Sequence, residues 1–279
     1  MRHRVIILGI RKDYSHQGDY LNEKNEVALK SVIGNLPKVR SGLNRSFSHY
    51  HPTEVYENGN PKRVYKNITD TSVNWLKEMS KNIDQIKVWG ELKLNGLSDG
   101  PKEIELGKGS EFVMAGNTIS RDHTLKDWYV DKRLKGVVNH ESRKHLTQDL
   151  MRYLFASLYV EKNKRFPRLK DFADHSKDLL PDHANVASGK FADRFRVQVP
   201  EKPATTVTSH ISKDGHYFIH YDASQCRSLT VREAARIQTF PDNYLFRGSR
   251  TAQYHQVGNA VPPYLAYQIA EIVFKILKS

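Results

Sequence analysis

Six consecutive uncharged residues near the start of the chain, Val5-Ile6-Ile7-Leu8-Gly9-Ile10, constrain the fold more than any other stretch. Four of them are β-branched, and the run is bounded by charge on both sides. Such a run reads as a strand buried on both faces. Strands of this kind lie inside parallel sheets, with neighbours on either side. No second run of the same character follows. Residues 23–36 carry Val27, Val32, Ile33 and Leu36 at helical spacing, closed by Pro37. Residues 37–66 are polar, basic and dotted with Gly, Pro and Asn, and read as a long loop.

Further along, Leu76, Met79, Ile83 and Ile86 line one face of a helix behind a Thr/Asp cap. Residues 91–120 have Gly-punctuated strand character. The strongest helix signal covers residues 140–162, where Leu146, Leu150, Leu154 and Leu158 recur every four positions. Phe195, Val197 and Val199 alternate as a strand. Residues 205–210 and 216–221 flank Asp214-Gly215 and read as a hairpin. Thr230-Val-Arg-Glu233 has capping-box spacing and opens a short helix ended by Pro241. Pro262-Pro263 opens a last helix striped by Leu265, Ile269, Val273 and Ile276.

No stretch approaches eighteen apolar residues, so no membrane span is expected. The first residues lack the order of a signal peptide. The one cysteine, Cys226, excludes an internal disulfide framework, and the chain reads as cytoplasmic. It also leaves Asn139 to His145 without cysteine partners, so no metal site is expected there. Forty-four Lys and Arg against 31 Asp and Glu give a net charge of +13, which favours a polyanionic partner.

Two stretches go beyond what local structure requires. RSLTVREAARIQTFPDNYLF, followed after a short gap by QVGNAVPP, closely resembles the last two sequence blocks of the DNA (cytosine-5)-methyltransferases. MRHRVIILGIR resembles that family's Gln-x-Arg-x-Arg block and the strand after it, with Arg2 and Arg4 at the two arginines. The segment between, with PATTVTSH, sits where the family carries its target-recognition domain. The resemblance covers both ends of the chain by motif and the middle by position.

The resemblance implies an α/β fold, in which the remnant of a Rossmann-like methyltransferase domain flanks a mixed α+β target-recognition domain. Residues 1–36 would end the catalytic-domain sheet. Residues 37–245 would be the recognition domain, and 246–279 the hinge and the helix returning to the catalytic domain. The implied reaction is methyl transfer from S-adenosylmethionine to C5 of a cytosine flipped out of duplex DNA, as in a restriction-modification system. Arg2 and Arg4 would support catalysis, and Gly258, Asn259 and Ala260 would close the cofactor pocket. Thr205 and Thr206 would lie near the DNA backbone. Arg232, Glu233 and Arg236 would brace the recognition domain through ion pairs.

Two DNA contacts rest on the residues alone. Arg143 and Lys144 stand at the expected start of the strongest helix, where phosphate binds readily. Lys213 and His216 stand at the expected hairpin tip. A solvated helix start is the alternative for the first pair.

The family's Asp-x-Phe-x-Gly-x-Gly cofactor loop, its Pro-Cys nucleophile and its Glu-Asn-Val block do not occur in the sequence. Cys226 lies outside any Pro-Cys context and reads as a small buried hydrophobe. The chain is therefore expected to be inactive alone. It would bind S-adenosylmethionine only with a second polypeptide that carries the missing N-terminal half. A natural split enzyme and a truncated gene product both fit, with truncation favoured because the chain starts inside the arginine block. The competing function is a non-catalytic DNA-binding remnant or specificity subunit. An RNA methyltransferase fits less well, because the region between the blocks is large.

Overall fold

Helix periodicity sets the first of two cores. In the computed structural model, which describes residues 6–15, 18–57, 59–90, 92, 106–181 and 194–278, the helix Ser72–Trp89 (α2) starts on Thr71. The Thr71 hydroxyl accepts from Asn74 N at 3.1 Å, and Gly90 closes the helix in the left-handed conformation. Its face of Trp75, Met79, Ile83 and Ile86 is buried against the helix Thr147–Asn163 (α4). The middle of α4 is buried nearly all round, from Tyr153 to Val160. Phe172, Phe195, Val197, Ile219 and Cys226 complete this core.

The second core gathers the short helix Leu29–Ile33 (α1), Val137, Val207, Ile211, Phe218, and the helices Val231–Ile237 (α6) and Arg250–Asn259 (α7). Leu29, Val32, Ile33 and Leu36 thus share a core with residues beyond the expected boundary at 36.

The described strands form three separate pairs. Gly42–Leu43 (β1) runs parallel to Lys144–His145 (β6). Arg45–Val55 (β2) and Pro61–Asn67 (β3) form a long antiparallel ribbon. Gly109–Met114 (β4) pairs antiparallel with Gly136–Glu141 (β5). The short helices Lys126–Tyr129 (α3) and Leu169–His175 (α5) fill the gaps, and Pro263–Lys278 (α8) ends the chain.

Several sequence expectations change. Residues 6–10 are described but pair with no strand, and Ile6, Ile7 and Leu8 are exposed, Ile7 by 89%. A strand exists only through a neighbour that takes its N–H and C=O groups, and no described segment offers one. The expected helix at 23–36 shrinks to five residues. Residues 37–66 are largely the β2–β3 ribbon instead of a loop. The helix expected from 140 starts at Thr147, because pairing with β4 and β1 claims residues 136–145 first. Asp214-Gly215 turns the chain, but residues 205–210 and 216–221 do not form a hairpin. Instead Ser209–Ser212 is a 3₁₀ turn, and residues 216–220 run between 196–198 and 227–229.

The first described segment returns to the last helix. A β-carbon on Gly18 would lie 3.3 Å from Ile276 Cδ1 and 3.4 Å from Ile10 Cδ1, and Lys275 pairs with Asp19 at 3.0 Å. Phe274 and Leu277 on α8 stay exposed, by 58% and 62%. No helix among the described residues is long and apolar enough to cross a membrane.

Candidate functional site

The short helix α6 organises everything around it. Thr230 and Glu233 form the capping box that the spacing predicts: Thr230 Oγ1 accepts from Glu233 N, and a Glu233 carboxylate oxygen accepts from Thr230 N at 2.7 Å. The same carboxylate receives both terminal nitrogens of Arg227, at 2.6 and 2.7 Å. Arg227 and Glu233 are essentially inaccessible, at 0% and 1% exposure. Arg227 also donates to Val39 O and to Gln225 Oε1. Arg236 pairs with Asp242 and donates to Val32 O and Thr118. Arg232 makes no carboxylate contact. It donates to the carbonyls of Val138, Pro241 and Tyr244. Two ion pairs and one carbonyl clamp therefore join α6 to α1, β5 and the loops on either side.

Two imidazoles stand against this cluster. His220 Nε2 lies 3.6 Å from Glu233 Oε1, and His140 bridges Thr230 Oγ1 and Pro37 O. Burial lowers both from 6.5 to about 4. Burial alone would raise the Glu233 carboxyl, but Arg227 and His220 hold it well below the usual range. The unfolded chain therefore takes up protons on both imidazoles as pH falls below about 6.5, while the folded chain resists until about 4. Stability is expected to decline across that window by about 3 kcal/mol per imidazole, and further below about 4.5 as Glu233 protonates in the unfolded chain. Chemical denaturation at pH 7.5, 6 and 4.5 checks this; equal midpoints would contradict the assignment.

Three of the singled-out stretches meet beside this hub. Gly258 packs so close to the 3₁₀ turn that an added β-carbon would lie 2.4 Å from Ser209 N and from Thr208 C. Gln238, which no motif singles out, donates to Val257 O at 3.1 Å and Val207 O at 3.4 Å. Thr205 is tied back through Gln198 Oε1, which accepts from its N and Oγ1 at 3.0 and 3.1 Å. Thr205, Thr206 and Thr208 then line an open cleft of about 920 Å³ with Lys202, Arg196 and His210. Hydroxyls and cations on one concave wall suit phosphate oxygens.

At the α7–α8 junction Asn259 is exposed and Ala260 half-buried. Thr239 Oγ1 accepts from Tyr264 N at 3.1 Å, which fixes the start of α8 against the end of α6. S-adenosylmethionine needs an enclosed cavity, and these residues do not build one. Gly258 is consumed by helix packing, and Asn259 offers one open edge. Among the described residues no group of three His, Cys, Asp or Glu is placed to hold a metal ion.

Other expected contacts move. Arg143 is buried, with its guanidinium 3.8 Å over the Tyr254 ring and its nitrogens donating to Lys213 O and Ile211 O. It is a structural clamp on the 3₁₀ turn Ser209–Ser212 and on α7, and not a phosphate ligand at a helix start. His216 is 6% exposed and bonded to Tyr153 at 2.8 Å, so the exposure expected of it is absent. Lys144 and Lys213 do face solvent. Arg2 and Arg4 lie outside the described residues. Cys226 is fully buried, its Sγ donating to Leu150 O at 3.0 Å, and burial pushes its thiol far up. A thiolate nucleophile cannot form there.

The sequence matches the family model described as C-5 cytosine-specific DNA methylase over residues 1–275. It is 46% identical over 142 residues, 51% of this chain and 30% of the relative, to type II methyltransferase M.Bpa9945I of Bacillus paralicheniformis. It is 27% identical to putative type II methyltransferase M.OihORF3336P of Oceanobacillus iheyensis, across 89% of this chain and 44% of that one. It is 44% identical to DNA (cytosine-5-)-methyltransferase M.ApeKI of Aeropyrum pernix, across 99% of this chain and 57% of that one. The chain spans less than three-fifths of the length of each of these relatives.

Proposed function

Because this chain belongs to the C-5 cytosine-specific DNA methylase family, we propose that it is the DNA-recognition and hinge portion of a DNA cytosine-5 methyltransferase of a restriction-modification system. The meeting of the threonine cleft, Gln238 and Gly258 carries this reading, because it couples a phosphate-binding wall to the junction that bears Asn259. Duplex DNA is the substrate partner, and the +13 charge suits it.

The remainder of such an enzyme supplies the cofactor loop, the cysteine and the glutamate. Its docking face on this chain is the apolar surface formed by Ile6, Ile7, Leu8 and the open side of α8, with Phe274 and Leu277. S-adenosylmethionine supplies an electrophilic methyl group when bound. Asn259 would add one hydrogen bond at the open edge of that site, whose walls lie outside these residues, and Thr205 and Thr206 would hold the DNA backbone near the flipped base. Arg2 and Arg4 support the active site.

Tritium transfer from S-adenosylmethionine to duplex DNA tests this. The chain, a polypeptide carrying the missing blocks, and their mixture are assayed separately. Activity only in the mixture supports the proposal. An inactive mixture that still binds duplex favours a non-catalytic specificity subunit. In an active mixture, Asn259→Ala is expected to weaken S-adenosylmethionine binding about tenfold, the effect of one lost hydrogen bond, and duplex binding little. Equal losses would remove the assignment.

A further inference from the structure

The β2–β3 ribbon meets the body over its first half, where Phe47, Tyr50, Arg63 and Tyr65 line a cleft with Arg152 of α4 and Arg194. There Ser46 Oγ accepts from Thr147 Oγ1 at 2.8 Å. Phe47 packs edge-on against Tyr50 and Tyr65, with ring centroids 5.0 and 6.2 Å apart, and Arg45 lies 4.3 Å over the Tyr65 ring. This aromatic clamp makes the base stiff. The eleven residues of β2 extend roughly 35 Å at the usual strand rise. Most side chains beyond Phe47 are exposed.

Two features say what covers it. The ribbon carries Arg45, Lys62, Arg63 and Lys66 against Glu54 and Glu57, and Glu54 is already held by Lys62 at 2.9 Å and His51 at 3.1 Å. Its open edges are also poor templates for another strand. Pro52 and Pro61 lie in the strands, and the register shifts between Phe47 and His49 and between Tyr50 and Val55. Proline and bulges block edge pairing with a protein partner. The major groove of B-DNA, about 12 Å wide, admits a two-stranded ribbon.

We propose that the β2–β3 ribbon enters the major groove of duplex DNA and is the sequence-reading element of this chain. This inference rests on the DNA-methyltransferase reading above. Ser48 and His49 are exposed polar residues midway along β2, where base edges would meet them. His49 Nδ1 and Ser48 Oγ are 3.0 Å apart, which holds the imidazole in place. Lys66 on β3 is exposed and meets a phosphate.

The full chain is used to select from a pool of randomised duplexes, with His49→Ala and Lys66→Gln beside it. Thermal melts confirm that these surface variants fold. The unaltered chain is expected to enrich one sequence. His49→Ala is expected to lose that preference at one or two positions, with affinity for the enriched duplex down about 10- to 100-fold. Lys66→Gln is expected to keep the sequence and lower the slope of log K against log salt by about 0.9. If His49→Ala enriches the same sequence with unchanged affinity, the ribbon is not the reader, and the methyltransferase reading stands. Duplex binding without any sequence preference in the unaltered chain also overturns the ribbon assignment. Failure of the unaltered chain to bind any duplex overturns both.

Discussion

Replacing Glu233 by alanine is expected to destabilise the fold by about 3–5 kcal/mol, because it strands the fully buried Arg227 guanidinium without its counterion. The loss includes the capping box, since the Thr230 N–H loses its acceptor as well. For a chain of this size that corresponds to a fall in melting temperature of roughly 10 °C. Differential scanning calorimetry reads it directly. A second variant separates the ion pair from mere packing. With Arg227→Met and Glu233→Met together, no charge is left buried, so the double variant is expected to be more stable than Glu233→Ala alone. A double variant no better than the single one would mean that the charge pair is not the source of the loss.

Gly258→Ala is the second large effect. Helix α7 and the 3₁₀ turn at Ser209–Ser212 approach so closely that the new methyl would sit 2.4 Å from backbone atoms of Thr208 and Ser209. Backbone cannot swing aside as a side-chain tip can, so α7 must lift off or the turn must move. The expected cost is about 3 kcal/mol, at the upper end for overpacking. Because the turn continues into the threonine cleft, duplex binding is expected to weaken together with stability. A melt and a binding isotherm on the same preparation check both. A variant that melts like the parent would show that the two segments can separate freely.

What could be read from the sequence follows the range of the interactions. The capping box of α6 was legible because Thr230 and Glu233 are three residues apart and the signal is local. The faces of α2 and α4 were legible from periodicity. Residues 136–145 were not. Their strands exist through β4 and β1, far away in sequence, and the leucine pattern of α4 masked them. The β2–β3 ribbon had a local signal, Asn58-Gly59 between two runs of aromatic and β-branched residues, hidden by the surrounding polarity. The helix α7 had only Ser249 as a cap, whose hydroxyl accepts from Ala252 N at 3.3 Å. At the candidate site, the stretches carrying Glu233, Thr205 and Gly258 stood out through the family resemblance. Their meeting at Gln238 did not, since no spacing encodes a contact across separate loops. Charge and a turn point Arg143 and His216 to the surface, while the Tyr254 ring and the Tyr153 hydroxyl hold them inside.

Ile10, Gly18 and Asp19 lie against Ile272, Ile276 and Lys275, so the path into the body and the path out of it run side by side. A body attached at one place can be lifted out and another put in with little disturbance to whatever it is mounted on. The segment from about residue 20 to about residue 262 can then change in length or content without moving its two ends apart.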